Sequence, residues 1–209
     1  QLRRGLTHLQ AAEFLYETSL FPEPEYSFVH ALTLEVTYQS LLREQRRALH
    51  ERALGGLEAR LAGGDSEKIE LLAHHAVRGE VWDRAARYLY RAGKKALAQT
   101  RYRASAAFYE AALDALDRLG AAADLTLKLD TYLELWSTLI STGRLAELPG
   151  LADKAEALAR ALDDGPRLAR VQLQQAQAIT LARVIPATLE SAINRAHEAF
   201  DRADPRDLR

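Results

Sequence analysis

The chain has 209 residues, 48% of them hydrophobic, which is enough to bury the core of one or two domains. Its formal net charge of -1 removes any global pull toward nucleic acid or an anionic membrane, and having no cysteine it can form no disulfide and no thiolate. There is no apolar run near the ~18 residues of a membrane span and no signal peptide, so a soluble, cytoplasmic protein is expected.

The spacing of apolar residues predicts helices almost throughout. Leu2, Leu6, Leu9 and Ala12 mark a short amphipathic helix. Two β-prone runs, Phe14 to Leu20 and Glu25 to His30, flank Phe21-Pro-Glu-Pro and predict a hairpin, the one convincing strand signal. A helix over Ala31 to Leu42 groups Leu34, Tyr38, Leu41 and Leu42, and one over Arg43 to Leu61 turns Leu49, Ala53, Leu57 and Leu61 inward. Gly63-Gly64-Asp65-Ser66 breaks the chain, and Asp65 or Ser66 can cap the next helix, Glu67 to Arg78.

Three helix pairs follow. In the first, Val81 to Ala98 carries a small-residue groove of Ala85, Leu89, Ala92, Gly93 and Ala96, and Arg101 to Leu119 faces it with Ala104, Phe108, Ala111, Leu113 and Leu116. Leu125 to Thr142 and Leu145 to Leu162, split at Gly143, form the second. Pro166 opens Leu168 to Val184, and Pro186 opens the last helix, through Phe200. Matching Phe108 with Ala152 and Ile193, and Ala111 with Ala155 and Ala196, gives a period of roughly 40 to 45 residues, and one pair cannot bury both of its faces without stacked neighbours. The predicted fold is therefore all-α. Residues 1–62 form a helix, a hairpin and connecting helices, and 63–209 form a right-handed superhelix of about three antiparallel pairs plus a leading helix. A chain that begins at Gln1 and contains no Met is expected to be a piece of a longer protein.

No catalytic constellation emerges. Ala92-Gly-Lys-Lys-Ala96 lacks the upstream glycine and the Ser/Thr of a phosphate-binding loop. His74 and His75 diverge by about 100 degrees on a helix and cannot chelate one ion together, and His30 and His50 are read as structural. Catalytic residues, cofactors and metals are not expected. A basic stripe of Arg84, Arg87, Arg91, Lys94 and Lys95 offers an anion or nucleic-acid surface, but pairing with Glu110, Asp114 and Asp117 on the next helix, or ordinary solvation, is the preferred account. The hairpin turn carries two glutamates and no Arg or Lys, unlike a DNA-contacting wing.

The stretch from Leu6 to Arg52, with Phe28, His30, Tyr38, Leu41, Arg47, Leu49 and His50 its most telling positions, resembles the junction after the ATPase module in bacterial signalling proteins. These include class III adenylate/guanylate cyclases fused to an AAA/STAND-type ATPase, and related transcriptional regulators, in which a winged-helix tail leads into tetratricopeptide repeats. The rest of the chain is similar to tetratricopeptide repeats in general. It departs from them in the long period, in Trp136 where a small residue is usual, and in the lack of a later aromatic equivalent to Phe108. The resemblance implies a regulatory repeat module whose first helices line a concave groove, with Tyr132, Trp136, Gln172, Gln175 and Gln177 as candidate groove residues. The partner it implies is a protein or peptide, including the parent's own ATPase domain, or a small effector. Nucleic acid and membrane are not expected partners. The alternatives are a DNA-associated regulator using the basic helix face, and a self-association scaffold.

Overall fold

Consecutive helices with Ala- and Leu-rich stripes stack on one another along most of the chain in the computed structural model, which describes residues 2–19, 25–60 and 68–180. The order is α1 (Leu2–Ala11), β1 (Leu15–Ser19), β2 (Glu25–Phe28), α2 (Ala31–Ser40), α3 (Arg43–Arg60), α4 (Ile69–Arg78), α5 (Trp82–Ala98), α6 (Tyr102–Leu119), α7 (Leu125–Ser141), α8 (Leu148–Ala161) and α9 (165–180). The fold is thus almost entirely helical with one short hairpin. The hairpin turn at 21–24, the caps Asp65 and Ser66, and the last helix with Ile193 and Ala196 lie outside the described residues.

The hairpin pairs Leu15 with Phe28 and Tyr16 with Ser27 in antiparallel register, which slips between Glu17 and Ser19. It packs against α1 and α2. Helix α2 buries none of its residues, and Leu34 and Leu42, expected on an inward face, are exposed along with Leu32 and Val36. That helix is covered only in part, where Tyr38 meets His50 of α3 and Leu34 borders a crevice with His50 and His74. In α3 the inward residue is Leu54, fully buried, with Leu57 half-buried beside it, whereas Leu49 is exposed. Ala53 is intermediate, and Leu61 lies outside the described residues.

Two apolar clusters make the core, and α6 contributes to both. Leu54, Ile69, Leu72, Ala85 and Leu89 gather around Ala112 and Leu116, while Leu129, Leu133, Leu139, Leu148 and Val171 gather around Tyr109. All five predicted groove residues of α5 are buried. On α6 Leu116 is buried as expected, but the rest of the buried stripe is Ser105, Ala106, Tyr109, Ala112 and Ala115, one position round from Ala104, Phe108 and Ala111, which are half-buried. Tyr109, not Phe108, faces Gly93. A Cβ at Gly93 would sit 2.6 Å from the Tyr109 ring, and the Ser105 hydroxyl donates to the Gly93 carbonyl at 2.9 Å. These contacts let the two helix axes approach closely.

The helix ends repeat as well. Glu80, Thr100, Gly143 and Asp163 all have φ between 51° and 75°, and each closes its helix by the same pair of bonds. At Thr100, for example, the Thr100 amide donates to Leu97 and the Arg101 amide to Ala96, a Schellman cap. Thr100 and Gly143 are 43 residues apart, as are Gly120 and Asp163, so the helix-pair period falls within the expected 40 to 45.

Candidate interaction site

Helices α5, α7 and α9, the first members of the successive pairs, lie side by side, and their shared face is polar. Helix α7 is wrapped by α6, α8 and α9, so most of its circumference is apolar and buried. A narrow polar stripe, Thr126, Asp130, Glu134, Ser137 and Ser141, stays open or half-open. Along it α9 is zipped to α7. Arg167 forks onto Asp130 at 2.7 and 3.1 Å and also bonds Asp164, the carboxylate that caps its own helix. Arg170 reaches Glu134 at 3.2 Å, and the Gln174 side chain donates to the Leu133 carbonyl at 3.1 Å. These bonds hold Asp164 below, and Arg167 above, its ordinary pKa. From α5, Tyr90 borders the same face. Burial, then the charges of Glu134 and Asp130, push its phenol up, and the Lys94 ammonium lies 5.8 Å from its ring centre.

This arrangement corrects the expected groove residues. Tyr132 and Trp136 are 9% and 3% exposed and belong to the core, because α7 is packed on three sides. Trp136 instead floors a cavity of about 360 Å³ between α8 and α9, bordered by Pro149, Ala152 and Ile179. Gln175, which also lines it, donates to Glu156 of α8 at 2.8 Å. Gln172 and Gln177 are exposed. Periodicity could not find Asp130, Glu134, Arg167 and Arg170, which look like ordinary solvated charges until α9 is set against α7.

Two of the five residues of the basic stripe of α5 are paired, and not with the helix expected. Arg84 bonds Glu58 of α3 at 2.8 Å, and Lys95 lies 3.9 Å from Glu70 of α4, which also meets Arg101 at 3.5 Å. Glu58 also accepts from the Tyr88 hydroxyl at 2.6 Å; burial and this bond push the phenol up to about 12. The acidic residues of α6 point the other way. Glu110 bonds Arg144 at 2.6 Å and Asp117 bonds Lys128 at 2.5 Å. The basic residues thus look back to the preceding helices and the acidic residues forward to the following ones. Arg87, Arg91 and Lys94 keep no ion pair among the described residues and form one i, i+4, i+7 row.

His50 of α3 meets the adjacent His74 and His75 of α4. His50 Nδ1 lies 3.0 Å from His75 Nδ1, the Tyr38 hydroxyl is 3.1 Å from His50 Nε2, and the His74 ring centre is 5.7 Å from that of His50. The short nitrogen–nitrogen distance requires one ring to donate and the other to accept. Among the described residues no group of three or more His, Cys, Asp or Glu is arranged to hold a metal ion, and no helix is long and apolar enough to cross a membrane. No protein-family model, no curated protein and no solved structure matches the chain.

Proposed function

We propose that the chain is a non-catalytic interaction module that binds an acidic segment of a protein along the α5–α7–α9 face, and that it regulates an ATPase or cyclase within a longer signalling protein. The observation that supports it is the Arg87–Arg91–Lys94 row, which has no carboxylate partner among the described residues and runs beside Tyr90 on the polar face. A preformed ridge of stacked helices binds without folding on contact and can pass a change at one end along the stack. The link to an ATPase or cyclase rests on the resemblance of residues 6–52 alone. The DNA-associated reading has less to stand on, since Arg84 and Lys95 already face Glu58 and Glu70 and three cations remain.

Fluorescence anisotropy with a Glu-rich peptide and with a DNA duplex, each over a salt series, tests the proposal. The peptide is expected to bind, and the Arg87→Glu/Arg91→Glu variant to lose about tenfold or more in affinity while keeping its helicity. Duplex binding with a steep salt dependence, and no peptide binding, would hand the site to DNA.

A further inference from the structure

A second cationic site, on the other side of α5, gathers more charge than any surface ion pair explains. The N-terminal end of α3, the C-terminal end of α4 and the last turn of α6 enclose a crevice of about 540 Å³. Arg43, Arg46 and Arg47 come to it from α3, Arg78 from α4 and Arg118 from α6. Among the described residues Glu80 is the single carboxylate on its wall, bonded to Arg43 at 2.6 Å and lying 3.5 Å from Arg47. Five guanidinium groups against that one carboxylate make the lining strongly positive.

Two of these groups are held in place. The Arg118 guanidinium carbon lies 4.7 Å from the Trp82 ring centre, and that of Arg46 lies 5.2 Å from the Tyr38 ring centre. The Arg46 Nε–H is buried and has no acceptor among the described residues. A buried donor without a partner is costly unless something completes it, and its own side chain lines the crevice. Guanidinium presents a planar fork that matches the oxygens of phosphate. Arginine lies over one face of Trp82 and one face of Tyr38, and this charged lining suits phosphate oxygens.

We propose that this crevice binds the di- or triphosphate group of a small molecule. Glu80 occupies two of the arginines in its absence, and the incoming anion competes with it. The site shares no residue with the α5–α7–α9 face, so either proposal can fail while the other stands.

Isothermal titration with pyrophosphate, tripolyphosphate and ATP at low and moderate salt tests it, using wild type, Arg46→Lys, Arg118→Gln, Glu80→Gln and, as a control at an exposed cation of α8, Lys154→Gln. Arg46→Lys keeps the charge but loses the fork, and it and Arg118→Gln are each expected to weaken binding about tenfold. Lys154→Gln should leave binding unchanged. Glu80→Gln removes the competing carboxylate and should tighten binding several-fold, a gain that misfolding cannot imitate. ATP binding like tripolyphosphate would identify the bare phosphate chain as the ligand, and ATP binding more tightly would identify a nucleotide; either sustains the proposal. No binding at low salt, or equal loss with Lys154→Gln, would overturn it.

Discussion

Gly93 is where one missing methyl group sets the geometry of the α5–α6 pair. The Tyr109 ring is fully buried and rests on its backbone, so an added Cβ would meet ring atoms at 2.6 and 2.7 Å. Ala favours a helix over Gly by about 1 kcal/mol, whereas overpacking a rigid core costs about 1–3 kcal/mol. Gly93→Ala is therefore expected to destabilise the protein by up to about 2 kcal/mol in urea unfolding. Combined with Tyr109→Leu, which removes the ring, the same change should cost far less than the sum of the two single changes. Strict additivity would show that the contact carries no strain. The small residues of this interface were legible in the sequence because Ala and Gly at helical spacing have few other uses. Its bulky partner was not. Phe108 and Tyr109 are adjacent, only about 100 degrees apart on a helix, and periodicity alone accepted either. The helix ends show a similar limit, since glycine marks Gly143 while Glu80 and Asp163 adopt the same positive φ with no glycine to announce it.

Helices α3 and α4 are joined as much by imidazole chemistry as by Leu54 and Leu72. Burial pushes His50 below the ordinary imidazole value of 6.5, with His75, His74 and Arg78 adding repulsion from α4, and burial with the His74 charge does the same to His75. The Tyr38 hydroxyl meets His50 from α2. A histidine with a lowered folded pKa takes up its proton more readily in the unfolded chain. The stability it reports is complete above 6.5 and is lost as pH falls through the lower folded value. Urea midpoints should therefore drop between about pH 8 and about pH 5.5, and His50→Gln should shrink that drop by removing one titrating ring and relieving its neighbour. An undiminished drop in the variant would place the sensitivity elsewhere. Such a cluster is out of reach of a linear reading, which sets His74 and His75 about 100 degrees apart on a helix but cannot know that α3 delivers His50 to both, or that their own ring centres lie 5.4 Å apart. Helix α2 failed for the opposite reason. Its apolar face was visible in the sequence, but amphipathicity does not say whether anything covers it, and Leu34 and Leu42 remain exposed.

At the scale of the whole array, the question is whether two apolar clusters behave as one. A stacked-helix protein divides its stability between units and the interfaces that join them. Here α6 is not a boundary between units, because Ala106 and Tyr109 pack into one cluster while Ala112, Ala115 and Leu116 pack into the other. Melting either cluster strips one side of the same helix, and the exposed Asp117–Lys128 and Glu110–Arg144 pairs are too weak to hold α6 alone. The chain's two tryptophans stand on opposite sides of this divide. Trp82 packs against the first cluster and Trp136 lies within the second. Trp136→Phe leaves a reporter of the first cluster and Trp82→Phe a reporter of the second. In each variant the fluorescence transition in urea should coincide with the loss of helical circular dichroism, whatever the variant's own midpoint. Coincidence in both makes α6 the element through which strain at one end of the stack reaches the other, as regulation through stacked helices requires. A tryptophan transition that separates from the helix signal in either variant would mean that the clusters melt independently, and α6 would then be a hinge rather than a coupling.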